Sequence, residues 1–431
     1  MTVTSAPSPR PRIRADRTSD RLVTLSAIVL AMGFLAAAAA ATLLPVQTRL
    51  GAWLPLHLAL AGAATTAIAG VMPFFTAALG AAPPSDPRLR AAAVAAVAVG
   101  AGAVALGVAA GMSGLAVIGG ASFIGGVALA GVAALEPLRH GLGPRRGVVT
   151  AGYVAALCSV AIGAGLATVF LAGWMPLVET WARARPAHAW LNLVGFVSLT
   201  IATTLLHFFP TVIGARIARR PSASVTVAGL AAGPALVALG GVADADLPAR
   251  AGAVVALGGA LGLAVYAGQT WRTRARWTSD VGWHLVAMGG LASAIGWFVV
   301  GMAIAAGRMA VLGIDGGGWS LDAVAGPLVA GWIGLAIVAA ATHLVPSIGP
   351  GSPVAHAEQR RILGRAALPR LLAIELGVGA LAVGLPLHVD ALVAAGTGLV
   401  AAALAVTVLL LAAAIRVGLA GQATGTRAAG A

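Results

Sequence analysis

Gly195-Phe196-Val197-Ser198-Leu199-Thr200-Ile201 opens an apolar stretch that closes on Leu206-His207-Phe208-Phe209-Pro210-Thr211. Displaced by 136 residues and with no gap, Gly331-Trp332-Ile333-Gly334-Leu335-Ala336-Ile337 runs to Thr342-His343-Leu344-Val345-Pro346-Ser347. Matches among Leu, Ile and Gly are cheap in an apolar sequence. A shared His-x-x-Pro-[Ser/Thr] behind a shared Gly-aromatic pair is not. A third, weaker copy places Pro73-Phe74-Phe75-Thr76 and Gly80-Ala81 where His207-Phe208-Phe209-Pro210 and Gly214-Ala215 stand, with a one-residue gap upstream.

The surroundings of these segments decide the fold class. Of 431 residues, 59% are hydrophobic and 9% charged, and the mean hydropathy is +0.96. No soluble domain of this size carries such a surface, so the solvent for most of the chain is lipid. Stretches of about 20 apolar residues, the length that crosses a bilayer, recur throughout. They predict an all-α membrane protein with twelve transmembrane helices at residues 22-43, 53-80, 91-111, 113-135, 148-173, 187-214, 223-241, 251-270, 281-306, 321-348, 369-387 and 391-416. Residues 1-21 and 417-431 read as disordered tails. The three related segments are then spans two, six and ten. A period of four spans divides the domain 22-416 into units near 22-135, 148-270 and 281-416, a pseudo-threefold plan. Gly258 and Gly262 have the four-residue spacing that lets helices approach closely.

A net charge of +14 invites a nucleic-acid reading, which the positions of the charges exclude. All 27 basic residues are Arg, and 22 fall before span one, in or at the edge of the even-numbered loops, or at and beyond the end of span twelve. Only Arg49, Arg183, Arg185, Arg250 and Arg308 fall on the opposite side. Positive charge is retained in the cytoplasm during insertion. The expectation is a multi-pass protein of a bacterial cytoplasmic membrane with both termini inside, its partner the lipid bilayer.

Twelve helices in three groups of four, with histidines on spans two, six and ten, resemble the catalytic subunit of the haem-copper oxidase and nitric-oxide reductase superfamily. The segment Pro186 to Arg220, from Pro-Ala-His-Ala-Trp-Leu-Asn-Leu-Val-Gly-Phe to His-Phe-Phe-Pro-Thr, is also similar to membrane modules that accompany copper oxidase and copper nitrite reductase domains in actinobacteria. The resemblance implies haem or copper as cofactor, a copper-containing redox protein as partner and a respiratory, nitric-oxide or copper-related role. His57 matches the low-spin haem ligand of span two, and His188 matches the copper ligand of span six. The match is incomplete. Span ten has Gly331 and Trp332 at the depth of the second haem ligand, and span seven has no histidine. A complete oxygen-reducing centre is not expected.

Ionisable groups inside a membrane are costly, so each needs a reason. His57 and His188 lie near the same membrane side and form a candidate cofactor site. His207, His343 and His284 lie near the other, where two readings stand. In one, they bind a metal or haem, with His207 and His343 the equivalent ligands. In the other, each imidazole donates to an orphan carbonyl at its helix end, and His284 beside Trp283 is an interface anchor. His140, His356 and His388 fall in turns. Glu375 is the one carboxylate well inside a span. It marks a proton or ion path unless it turns back towards Arg370 or Arg365. Trp53, Trp174, Trp181, Trp271, Trp277 and Trp319 lie near span ends, as an aromatic belt does. The single cysteine, Cys158, rules out a disulfide within the chain. No phosphate loop, nucleophile elbow or zinc-protease pair occurs. The readings left open are a redox membrane protein, a transporter that uses the inner histidines and Glu375, and a scaffold without a site.

Overall fold

The computed structural model describes residues 13–140, 147–315 and 317–428. Arg10, Arg12, Arg145 and Arg146, and the side chains of Arg14, Arg17, Arg21, His140 and Arg427, lie outside the described residues. The chain is 85% helical, with no strand among the described residues.

Among the described residues, twelve helices are long and apolar enough to cross a membrane: Leu22–Ala41, Trp53–Ala78, Pro87–Ala109, Ser113–Pro137, Gly147–Leu171, Trp181–Val212, Pro221–Ala243, Asp246–Trp271, Val281–Leu312, Leu321–Ile348, Ala367–Leu387 and Asp390–Gly421. Each coincides with an apolar stretch of the sequence, and several outrun it at a charged turn. Span six starts at Trp181 because Arg183 pairs there with Asp244. Span eight starts at Asp246, whose carboxylate accepts from Arg250 one turn on, at 2.8 Å, and from the backbone N–H of Ile314 at 2.8 Å. The tails are also more helical than expected. Helix begins at Ile13 and continues to Ala428.

Spans two, six and ten share one construction, and span nine has it as well, with a π segment at Leu285–Gly289 ahead of the longer helix Gly290–Leu312. A short helical lead-in is followed by a π-helical segment and then a regular helix of similar length. The π segments are Leu58–Ala64, Leu193–Ser198 and Ala325–Gly334. The helices that follow are Thr65–Gly80, Leu199–Val212 and Leu335–Ile348. The aligned glycines Gly62, Gly195 and Gly331 all fall inside the π segments. A hydroxyl at the segment's end bonds the carbonyl five residues back in two copies, Thr65 to Leu60 at 3.0 Å and Ser198 to Leu193 at 2.8 Å. Longer than a few residues, such i→i+5 turns are rare, and they concentrate at functional sites.

The chain divides into two compact units, Met1–Thr150 with Val160–Trp181, and Ala151–Ser159 with Ala182–Ala431. In the first, Asp86 caps span three by accepting from Arg88 N at 2.7 Å. Arg90, 1% exposed, donates to Thr24 Oγ1 at 2.9 Å. In the second, spans seven and eight meet backbone to backbone. A Cβ on Gly229 would stand 2.7 Å from Gly259 Cα, and one on Gly252 2.5 Å from Gly233 O. The contact face of span eight therefore includes Gly252, Gly259 and Gly262, the last with a Cβ position 3.0 Å from Thr226 N, and Gly258 faces open space. Small residues do bring the helices together, and of the expected pair Gly262 lies in the contact while Gly258 does not.

A short helix, Pro353–Leu363, links spans ten and eleven. Gln359, fully buried, donates to Ala414 O at 3.0 Å in span twelve. His356 lies within this helix rather than in a turn.

Candidate functional site

The recurring His-x-x-Pro-[Ser/Thr] has a backbone explanation. Proline has no N–H, so the carbonyl four residues earlier loses its helical donor, and a buried acceptor left unpaired is costly. For Pro210 that carbonyl is Leu206, which accepts from Tyr266 Oη at 2.5 Å. For Pro346 it is Thr342, which accepts from Trp283 Nε1 at 2.7 Å. The terminal hydroxyl of the motif bonds back to the histidine's carbonyl, Thr211 to His207 at 2.9 Å and Ser347 to His343 at 2.7 Å. Both helices continue two residues past the proline.

These carbonyls are thus satisfied by Tyr266, Trp283, Thr211 and Ser347. That corrects the capping expectation for His343, whose Nδ1 is buried without a hydrogen-bond partner. Its ring stacks on Trp283 at 5.2 Å and 13° and meets Phe208 edge-on at 5.5 Å. His284 lies against the same indole at 4.6 Å and stacks on Trp277 at 4.2 Å and 12°. It is 8% exposed, with Nδ1 also unpartnered, so it is a packed residue and not an interface anchor. Asp280 and Arg360, paired at 2.6 Å, flank the group. The Arg360 guanidinium stands 5.8 Å over Trp283. His284 and His343 therefore share one indole. Among the described residues, no three His, Cys, Asp or Glu side chains group as a metal ion requires, so His207, His284 and His343 are not gathered on one point.

Glu375 lies about 12 Å along span eleven from Ala367, at roughly 1.5 Å per residue. It does not turn back to Arg370 or Arg365. Arg370, 4% exposed, is engaged elsewhere, donating to Thr407 Oγ1 at 3.2 Å and to Leu363 O at 2.5 Å. The Glu375 carboxylate instead faces span nine. Ser293 Oγ donates to Oε1 at 2.5 Å, and Trp297 Nε1 donates to Oε2 at 2.8 Å. Four residues apart, these two donors share a helix face. The Trp297 ring is seated against Gly331 in the π segment of span ten, where a Cβ would stand 2.6 Å from the ring and 2.9 Å from Val378. The result is a half-buried carboxylate inside the bundle with two neutral donors and no ion pair among the described residues.

His57 and His188 belong to different compact units. His57 ends the lead-in helix of span two. Its Nδ1 donates to Trp53 O at 2.8 Å, and its ring stacks on Trp53 at 4.1 Å. His188 Nδ1 accepts from Asn192 Nδ2 at 3.2 Å, and the same amide donates to His188 O at 2.7 Å. Trp332 and Trp190 are fully buried, and Trp332 Nε1 donates to Ser198 Oγ at 3.1 Å, joining spans six and ten. His388 caps span eleven at φ +53°, and Cys158 is exposed.

No protein-family model matches the chain, and no curated protein matches it. The chain is established as a polytopic helical membrane protein, with lipid as its surroundings. The residues that sequence reasoning passed over are the partners Tyr266, Ser293 and Trp297, and Trp283 was noted only as the neighbour of His284. For Ser293 and Trp297 the one signal was polarity, a hydroxyl and an indole four residues apart inside an otherwise apolar span.

Proposed function

We propose that the chain moves protons or small cations across the membrane, with Glu375 as the in-membrane binding group. The observation that carries this reading is the carboxylate of Glu375 held between Ser293 and Trp297 with no cationic partner among the described residues. A charged carboxylate at such a depth costs about 2.5–3.5 kcal/mol on insertion scales, a cost that a purely structural bundle has no reason to bear. The Arg distribution supports both termini in the cytoplasm of a bacterial cell, which puts Glu375 in the inner half of span eleven.

The test is ion flux into proteoliposomes under an imposed diffusion potential, read with an internal pH dye and with sodium and potassium indicators. The expected result is a flux that falls at least tenfold in Glu375→Gln. Equal flux in the variant, or none in the native chain, overturns the proposal.

A second reading, a haem- or copper-binding redox protein acting beside a copper-containing partner, has behind it the motif shared by spans six and ten and, more weakly, by span two. The resemblance to haem-copper oxidases attaches His57 and His188 to that plan. An optical spectrum with iron and copper analysis of the purified protein tests it. Stoichiometric metal lost in His57→Ala or His343→Ala supports it, and metal-free protein removes it.

A further inference from the structure

We infer that the occupant of the Glu375 site is a proton and not a metal cation. The inference rests on the preceding reading of Glu375 as the binding group and goes on to name what it binds.

The donor inventory decides the matter. A hard cation gathers about six or more oxygen ligands. Among the described residues, one further side-chain oxygen, Ser293 Oγ, is hydrogen-bonded to this carboxylate, an indole N–H is directed at Oε2, and no group of three His, Cys, Asp or Glu side chains forms there. Indole nitrogen is a donor only, so its hydrogen occupies the space a cation needs. Gly331 and Val378, behind Trp297, add no side-chain oxygen.

A proton fits without loss of any hydrogen bond. In the ionised state Ser293 donates to Oε1 and Trp297 to Oε2. When a proton arrives on Oε1, the new O–H donates to Ser293 Oγ, since a hydroxyl accepts as readily as it donates. The serine hydrogen turns to the carbonyl one helical turn back, a common serine bond. Trp297 keeps its bond to Oε2 throughout. One proton is gained, no bond is broken elsewhere, and no electron moves.

No other titratable group competes at the carboxylate. The segments packed on span eleven belong to spans nine, ten and twelve. Their ionisable residues are His284 and Arg308, Asp322 and His343, and Asp390 and Arg416. None is bonded or paired to Glu375. On its own span, Arg370 is held by Thr407 and Leu363, and His388 lies past the far end.

Infrared pH-difference spectra of the full chain in vesicles test this. Acidification is expected to produce one carboxylic C=O band that Glu375→Gln lacks. In Ser293→Ala the band persists and moves to higher frequency, because one hydrogen bond is gone. Sodium or lithium added at constant pH leaves the band unchanged. Displacement of the band by sodium or lithium, or a native spectrum with no band sensitive to Glu375→Gln, overturns the inference. The flux measurement fails separately: the band without flux retains the proton site and discards transport, whereas sodium flux with a sodium-sensitive band retains transport and discards the proton.

Discussion

Trp283 donates its indole N–H to the carbonyl of Thr342 at 2.7 Å, the acceptor that Pro346 deprives of its helical donor. Trp283→Phe should therefore cost about 1–2 kcal/mol, the range for an abandoned buried acceptor tempered by bond strengths measured inside membranes. Detergent unfolding temperatures check this. In a Pro346→Ala background the helix regains its own N–H, and most of that cost should vanish. An undiminished cost there would show that the indole acts through packing alone.

Leu206, 136 residues before Thr342, stands in the same relationship to Tyr266, a donor from a different span. Tyr266→Phe removes one oxygen and little volume, so its cost measures the bond to Leu206 O directly. The expected loss is again about 1–2 kcal/mol, relieved by Pro210→Ala. The same unfolding assay reads it, and independence of the two variants would refute the backbone explanation of the motif.

The span count was legible because hydropathy is a property of the chain itself, and the recurrence of the motif in spans six and ten is a property of the sequence. The meaning of the recurrence was not legible. His207 and His343 drew attention as ionisable groups, whereas the bonding that the motif fixes runs through Pro210 and Pro346 and their donors in spans eight and nine. No local pattern ties Trp283 to Thr342. Glu375 stood out by its charge, but its partners lie on another span, and only the packing of spans nine, ten and eleven brings Ser293 and Trp297 to it. The close-approach glycines show the same limit. A four-residue spacing names a helix face without fixing its rotation, and the contact fell to Gly252, Gly259 and Gly262 but not to Gly258.

Gly331 makes the seat of Trp297. Gly331→Leu should displace the indole, remove its bond to Glu375 and overpack the bundle by about 1–3 kcal/mol. Gly258→Leu, where nothing lies within 4 Å, adds the same side chain without that effect. Comparison of their unfolding temperatures and of the infrared band checks it. A Gly331→Leu protein that matches Gly258→Leu in both would show that Trp297 needs no such seat.

Arg370 closes the C-terminal end of the helix Pro353–Leu363 through the Leu363 carbonyl. Arg370→Met keeps the aliphatic stem and drops the donors, at a cost of about 1–3 kcal/mol. The helix carries Arg360 and Arg361, and Arg365 follows it, so its loosening should appear as faster trypsin cleavage in this segment. Unchanged cleavage with a lowered unfolding temperature would assign Arg370 to span twelve through Thr407 alone.

The side of the membrane is open to a direct measurement, because one cysteine serves the whole chain. In a Cys158→Ala background, Arg361→Cys and Asp315→Cys place single thiols at exposed positions at opposite ends of span ten. Retention of positive charge in the cytoplasm predicts that Arg361→Cys in intact cells resists a membrane-impermeant maleimide and that Asp315→Cys reacts. The reverse pattern would invert the topology and put Glu375 in the outer half of the bilayer, so that protons would enter its site from outside the cell by the shorter path.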